Sequence, residues 1–418
     1  MKDQSAAQCG AVKRTINCAK DMLVKGCKRL GRDLAERTGT LDSVVSTKTT
    51  LDFSEACERI RSGHVDLFCQ AGQLRDEKFG KTLTYSPKVF LPVTNLCRDR
   101  CSYCTFRKGP KDEGAHTMSL AEISACVSEG AKLGCHEALL CLGDRPEAVF
   151  PSYRKVLQGF GVSTTAEYLY RVSEVCLQHG LLPHTNAGLL SSEEMLQLRK
   201  TNVSLGLMLE NVSERLCEVG GPHESAPTKR PQKRLQMIED AGKLKIPFTT
   251  GLLVGIGETI EERVETLFAI RELHEKYGHI QEVIVQIFRA KDGTKMEQFP
   301  EVTDEELFRT VAVTKLLLPE MNVQAPPNLT PEGHKGLIRA GINDWGGISP
   351  VTKDFINPEA PWPEIVVLKS LCESEGYQLS PRLPVYPEYL DFETWIDPSL
   401  ESAVLSHRGD ISHATALG

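Results

Sequence analysis

The sequence predicts an α/β chain whose strands run parallel and close into a partial or complete (β/α) TIM-type barrel. Three observations carry this expectation. From about residue 85, short β-prone runs alternate with amphipathic helical runs. The runs read as strands are mostly apolar throughout rather than apolar on alternate residues, as parallel strands buried on both faces must be. The intervening segments are long enough to carry a helix back across the sheet, which parallel pairing requires.

The strand candidates are 88–93 (KVFLPV), 137–142 (EALLCL), 181–186 (LLPHTN), 203–209 (VSLGLML), 247–254 (PFTTGLLV) and 282–288 (EVIVQIF). Val323–Ala325 and Gly341–Trp345 are candidates for a seventh and an eighth. Helix starts between them are marked by capping boxes, in which a hydroxyl accepts from an orphan backbone N–H and an acid three residues on reaches back. The pairs are Ser119 with Glu122, Thr164 with Glu167, Ser191 with Glu194, Thr259 with Glu262, and Thr303 with Glu306. Another helix is expected to open at Pro231, where the missing N–H costs nothing. A doubly wound open sheet is the competing architecture, but Gly255-Ile256-Gly257 lacks the third glycine of a dinucleotide fingerprint and falls on the fifth strand.

Composition narrows the partners. The formal net charge of -7 over 418 residues argues against a nucleic-acid partner. The longest apolar runs, such as Leu139–Leu142, are far short of the roughly 20 residues that span a bilayer. The 14 scattered cysteines, with no secretory signal, suit a reducing compartment, and a cytoplasmic location is expected. Residues 1–45 are expected to be a variable, disordered extension, organelle targeting being the alternative; Cys9, Cys18 and Cys27 there supply no metal-ligand pattern. The barrel domain is expected over 50–390, with 391–418 a tail or a truncated linker.

The chemistry is announced by LCRDRCSYCTF, residues 96–106, which sets Cys97, Cys101 and Cys104 directly after the first strand. Loops at the C-terminal ends of barrel strands are where such folds place their active sites. A structural zinc site would need a fourth Cys or His, and neither Cys126 nor His116 sits in a motif that offers one. Three thiolates on a 4Fe-4S cluster instead leave one iron open to a substrate or cofactor. A non-catalytic zinc-binding scaffold remains the alternative at this point.

The CxxxCxxC spacing, with aromatic Tyr103 before the last cysteine, resembles the radical S-adenosylmethionine (SAM) superfamily. The resemblance implies Cys97, Cys101 and Cys104 as ligands of the 4Fe-4S cluster, with SAM on the fourth iron. It also implies SAM contacts from Tyr103, from Gly143, Asp144 and Glu147 after the second strand, from Glu210 after the fourth, and from Gly251, Gly255 and Glu258 on and after the fifth.

A narrower resemblance rests on TYSPKVFLPVTNLCRDRCSYCTF, CHEALLCLGDRPE, GLLPHTNAG, PFTTGLLVGIGET, KYGHIQEVIVQIFRAK, QAPPNL and GINDWGGISPVTKDFINPEAPWP. Together these blocks look like the CofG-type subunit, or N-terminal half, of the 7,8-didemethyl-8-hydroxy-5-deazariboflavin (FO) synthase family. That implies a carbon–nitrogen lyase that closes the deazaflavin ring of FO, with release of ammonia, by hydrogen abstraction through a 5′-deoxyadenosyl radical. Its substrate would be the 5-amino-5-(4-hydroxybenzyl)-6-(D-ribitylimino)-5,6-dihydrouracil adduct. It further implies a separate CofH-type radical SAM partner that supplies the adduct, and a one-electron donor such as ferredoxin or flavodoxin. Substrate contacts are expected from His184 and Asn186 beyond the third strand, Gln286 and Arg289 beyond the sixth, and Asn343, Asp344 and Trp345 beyond the last. Radical SAM enzymes of the biotin synthase or menaquinone-pathway type are the alternative reading.

Overall fold

Each apolar run read as a strand does pair, and the pairing closes on itself. The protein is described from a computed structural model over residues 51–407. The expected extension 1–45, with its three cysteines and the targeting reading, and the residues from 408 onward lie outside the described residues.

The chain enters through α1 (Phe53–Ser62) and α2 (Leu67–Phe79), then alternates strand and helix, with two helices after β2. β1 (Thr82–Pro92) leads to α3 (Leu120–Lys132), and β2 (Glu137–Cys141) to α4 (Pro151–Gly159) and α5 (Thr165–Gln178). β3 (Leu182–Asn186) precedes α6 (Ser192–Arg199), β4 (Ser204–Gly206) precedes α7 (Pro231–Lys243), and β5 (Phe248–Val254) precedes α8 (Ile260–Tyr277). Then come β6 (Ile280–Ile287) with α9 (Asp304–Leu317), β7 (Asn322–Gln324) with α10 (His334–Arg339), and β8 (Asp344–Ile348) with α11 (Ile365–Ser374). The described chain ends in β9 (Gln378–Pro381) and α12 (Glu401–Ser406). Strands β1 to β8 pair in sequence order and in parallel, and β1 bonds both β2 and β8, so the barrel is complete. β9 adds to the first residues of β1, Thr82–Tyr85, ahead of the Lys88–Pro92 stretch that pairs β2.

Four of the five expected capping boxes form in full, opening α3, α5, α6 and α8. The fifth is half made. Thr303 accepts the Glu306 N–H, but the Glu306 carboxylate is drawn to Arg263 at 2.9 Å instead of reaching back. Pro231 is the first residue of α7, as expected. The helices α1 and α2, which precede the expected strands, pack outside the barrel against α8 and α9. The apolar face of α2 is blurred because it buries Arg75, whose guanidinium donates to the carbonyls of Ile338 and Ile342 at 2.8 and 3.0 Å.

Register fixes what faces the lumen, because a one-residue slip would invert every side chain. A Cβ at Gly130 of α3 would meet Val89 at 2.0 Å, so Val89 points outward and Lys88, Phe90 and Pro92 point inward. Their partners on β2 are Glu137, Leu139 and Cys141, and those of Leu139 and Cys141 on β3 are His184 and Asn186. On β5 and β6 the inward pairs are Thr249 with Glu282, Gly251 with Ile284, and Leu253 with Gln286. Outward residues such as Val89, Leu91, Ala138 and Leu140 are fully buried under helices. Inward Leu139, Cys141, Asn186, Ile284 and Gln286 are only half-buried, so the lumen is open toward the strands' C-terminal ends.

The N-terminal end is plugged. Arg382, just past β9, donates to Asp344 of β8 at 2.6 and 2.9 Å and to Glu282 of β6 at 2.8 Å, and Tyr386 Oη donates to Glu282 at 2.7 Å. This overturns one expectation directly. Asn343, Asp344 and Trp345 do not leave the last strand toward the cysteines; they begin it. Asn343 bonds Asn322 and the Val323 N–H, Asp344 holds the plug, and Trp345 is wholly buried beside His334 of α10. The expected tail does not leave the domain at Asp391 either. Ile396, Leu400 and Val404 are buried with Leu182 and Val203, and Arg199 donates to the Thr394 carbonyl at 2.8 Å.

Arg382 lies between two buried carboxylates, and removing one partner of a buried ion pair strands the others. Arg382→Met is therefore expected to lower stability by about 3–5 kcal/mol in denaturant unfolding, with a loss below 1 kcal/mol counting against the plug.

Candidate active site

The three cysteines sit on a 93–118 excursion between β1 and α3 that is closed on itself. Thr94 bridges Thr117 and Leu96 bridges Lys108, while the Asn95 side chain accepts from the His116 N–H and donates to the Gly114 carbonyl at 2.8 and 2.7 Å. Within it the Cys104 N–H donates to the Cys101 carbonyl at 3.1 Å, a turn that brings the two residues to one side. Cys97 is buried, and Cys101 and Cys104 are half-buried.

Neighbouring loops hold this excursion from two directions. After β2, Gly143 lies so close that a Cβ would stand 2.3 Å from the Cys97 Cβ and 2.6 Å from the Leu96 carbonyl oxygen, so no other residue fits without displacing the loop. The Asp144 N–H then donates to Cys97 Sγ at 3.1 Å. Its carboxylate accepts from Arg98 Nε at 2.8 Å and from the Leu189 N–H, after β3, at 2.7 Å. Burial raises the Asp144 pKa, opposed by the Leu189 N–H and Arg98. From the other side, the long segment between β4 and α7 clasps the intercysteine residues. Arg100 and Ser102 donate their N–H groups to the carbonyls of Ser225 and Pro222 at 2.9 and 2.8 Å, and buried Asp99 accepts from the N–H and hydroxyl of Thr228.

Tyr103 packs its ring among Leu216, Leu253, Ile256 and Phe288, and its hydroxyl meets His223 Nε2 at 3.0 Å. Burial drives the phenol pKa well above its usual value, with Glu210 adding to the effect, and pulls the His223 imidazole down to about 2. Glu210 itself adopts a left-handed backbone (φ 66°), fixed by bonds from its N–H to the Gly251 carbonyl and from the Leu253 N–H to its own carbonyl at 3.0 and 3.1 Å. One carboxylate oxygen pairs with Lys229; the other has no hydrogen bond among the described residues. Lys229 also acts on Cys101, bringing a cation beside the thiols.

The remaining acids expected to serve SAM are committed elsewhere. Glu147 accepts from the N–H and hydroxyl of Thr165 at 3.1 and 2.6 Å, placing its charge at the N-terminus of α5. Glu258 folds the turn after β5, accepting from the N–H groups of Gly255 and Ile256 at 2.8 and 2.9 Å and from Arg263 at 2.7 Å. Gly251 is required by crowding between strands, since a Cβ would lie 2.1 Å from the Ile284 carbonyl oxygen; Gly255 takes φ +99° to make its turn. Arg289 is held by Leu329, Glu301 and Asp304, outside the lumen's inward set. By contrast Asn186 and Gln286 face the lumen with no side-chain hydrogen bond among the described residues. His184, also inward, bonds Ser204 Oγ through Nδ1 at 2.7 Å, and burial lowers its pKa to about 4.

Sequence reasoning did not single out Lys229, His223 or Asp99. The signal available was the length of the segment 207–230, which carries Gly, Pro and charged residues without a helical period.

The donor set fits an iron–sulfur cluster. Three thiols stand on one loop, with a backbone N–H already aimed at one sulfur and a cation beside another. Burial pushes the Cys97 and Cys101 thiols up to about 12, so loading the loop with metal releases protons. Among the described residues no three His, Cys, Asp or Glu side chains are gathered closely enough for a single metal ion. A closed zinc site wants four donors, about 3.8 Å apart for thiolates at the usual bond length. No described helix is long and apolar enough to cross a membrane.

Comparison with known proteins agrees with this donor set. Residues 91–270 match the Radical SAM superfamily. A 7,8-didemethyl-8-hydroxy-5-deazariboflavin synthase of Methanopyrus kandleri is 52% identical over 309 residues, covering 74% of this chain and 92% of that protein. One from Methanocaldococcus jannaschii is 43% identical over 341 residues, covering 81% and 93%. Among solved structures, the FeFe-hydrogenase maturase HydG from Carboxydothermus hydrogenoformans superposes with a TM-score of 0.69 at 17% identity, covering 96% of this chain and 90% of that one. Methylornithine synthase (PylB) superposes with a TM-score of 0.58 at 20% identity, covering 84% and 97%. These two likenesses speak to the barrel alone. The thiol loop, the closed barrel and the extent of identity together place the chain in the 7,8-didemethyl-8-hydroxy-5-deazariboflavin synthase family of the radical SAM superfamily.

Proposed function

We propose that this chain carries out the ring-closing half of FO synthesis. It takes the 5-amino-5-(4-hydroxybenzyl)-6-(D-ribitylimino)-5,6-dihydrouracil adduct from a CofH-type radical SAM partner, removes a hydrogen atom, and closes the central ring with loss of ammonia. The observation that carries this reading is 52% identity across 92% of a family member, with the thiol loop intact. A ferredoxin- or flavodoxin-type protein is the electron donor in this reading. When bound, the cluster and SAM supply the 5′-deoxyadenosyl radical that the hydrogen abstraction needs.

The chain's own residues divide the remaining work. Cys97, Cys101 and Cys104 would hold the cluster and leave one iron for SAM, while Gly143 and Asp144 tie the loop down. Tyr103 and Glu210 would border SAM, with the unbonded Glu210 oxygen free to accept from a hydroxyl or ammonium group. Glu147, Gly251, Gly255 and Glu258 act indirectly, by fixing the loops and strands around that space. Asn186, Gln286 and His184 line the wall below, where amides and a neutral imidazole can bond the uracil and the ribityl hydroxyls. Leu139 on β2 and Ile284 on β6 are apolar positions of the same lumen and would help exclude water from the reacting carbon.

The reading predicts that anaerobically reconstituted protein, given SAM, reductant and the adduct, forms fluorescent FO and 5′-deoxyadenosine together; deoxyadenosine without FO would point to a different substrate. Cys101→Ala is expected to abolish both the cluster's visible absorbance and SAM cleavage, and retention of both would remove the thiol assignment.

Asp144→Asn puts an amide NH2 against one of the two donors, Arg98 Nε or the Leu189 N–H, so the loop loses a constraint while the thiols stay. Iron is then expected to be lost to a chelator at least ~10-fold faster than from the wild type, since one buried, charge-assisted bond is worth roughly 1.5–3 kcal/mol. An unchanged loss rate would deny Asp144 its role in holding the loop.

A further inference from the structure

We propose that Lys88 positions the substrate from the floor of the lumen, its ammonium donating to a carbonyl oxygen of the pyrimidinedione ring. The inference rests on the ring-closing reading and extends it to a residue outside the SAM and cluster motifs.

Lys88 lies on β1, and its side chain points into the barrel, since its neighbour Val89 packs outward against Gly130 of α3. It is 7% exposed. Among the described residues its ammonium makes no hydrogen bond and no ion pair; its contacts are the faces of Phe90 and Trp362, at 5.4 and 4.9 Å from the ring centroids. The register partner that would neutralise it, Glu137, is turned to the Ser86 hydroxyl instead. Room for the side chain is provided deliberately: a Cβ at Gly347 would collide with the lysine stem, 2.2 Å from Cδ and 2.5 Å from Nζ. A buried ammonium without an anion or acceptor is costly, and here one is kept in an open lumen with its three donors unused.

Its position names the occupant. Lys88 pairs in register with Glu137, four residues before Pro92, which ends β1 opposite Cys141 and directly precedes the cysteine loop. The ammonium therefore sits on the same wall as the thiol loop but deeper in the barrel. A ligand spanning that depth must present acceptors without hydrogens at its lower end and a reactive carbon at its upper one. A pyrimidinedione meets the first demand with two carbonyl oxygens. Its planar ring suits the Phe90 and Trp362 faces, and its alternating C=O and N–H edge suits the unbonded amides of Asn186 and Gln286. The hydroxybenzyl end is then directed toward the cysteines.

FO keeps the pyrimidinedione, so binding can be read without turnover. Reconstituted protein with SAM and no reductant is titrated into FO and followed by fluorescence anisotropy. Lys88→Met is expected to weaken FO binding about 10- to 100-fold, the worth of one hydrogen bond to a charged group, and Lys88→Arg to recover part of it. The same penalty is expected with an 8-hydroxy-5-deazaflavin that lacks the ribityl chain; its disappearance would move the contact to a ribityl hydroxyl and overturn the proposal. Without ligand, Lys88→Met is expected to melt no lower than wild type, because it removes a buried charge that has only two ring faces and no anion beside it. A lower melting temperature with unchanged FO affinity would make Lys88 structural. If the wild type itself fails to bind FO, the ring-closing reading falls and this inference with it; binding that Lys88→Met leaves unaltered overturns the inference alone.

Discussion

The upper half of the barrel depends on one buried carboxylate. Asp144 accepts from Arg98 on the cysteine loop and from the Leu189 N–H after β3, while its own N–H reaches Cys97 Sγ. Three loops that leave three different strands are thereby joined at a single residue. The joint works only because two glycines leave room for it. A side chain at Gly143 would strike Cys97, and one at Gly188 would come within 2.4 Å of the Asp144 carboxylate. The excursion 93–118 would otherwise lose much of its freedom only when the metal arrived; tied down beforehand, it presents its sulfurs at little further entropic cost.

From that joint the lumen is graded along its length. At the plugged end the inward polar side chains other than Lys88 are mutually satisfied, with Arg382 between Asp344 and Glu282 and Ser86 on Glu137. Toward the cysteines they become half-exposed and mostly unbonded. Such a gradient separates the two tasks of a barrel: its stability is secured where the chain returns to close it, and its binding surface is kept where the loops can shape it.

How much of this the sequence disclosed follows the range of the interactions. Capping boxes are legible because hydroxyl and acid are three residues apart, and the one that forms only half fails because of Arg263, forty-three positions from Glu306. The cysteine spacing is equally local. The acids of the SAM motifs were locatable but not their directions: Glu147 turns to Thr165 and Glu258 to Arg263, and nothing within either motif says so. Asn343 to Trp345 stand at the opposite end of their strand from the one expected, because the strand does not open at Gly341. That glycine is instead a turn residue at φ +96°, pressed against Ala71 of a helix that periodicity did not reveal.

Lys88 was invisible for a related reason: one charge at the edge of KVFLPV reads as an ordinary strand boundary, and its isolation exists only in three dimensions. That contrast separates structural polar groups from functional ones here. Asp144, Glu147, Glu258, Arg289 and Arg382 are each bonded by the protein itself, as buried polar groups generally must be. Lys88, Asn186, Gln286 and one oxygen of Glu210 are not, and all but Glu210 belong to the lumen's inward face. Among the described residues, buried polar atoms without a hydrogen-bond partner also occur away from the lumen, as at Arg199 Nε and His274 Nδ1, but there they are scattered singly. Lys88 on β1, Asn186 on β3 and Gln286 on β6 instead surround one space between a charged plug and a thiol loop, as a site completed by its ligand requires.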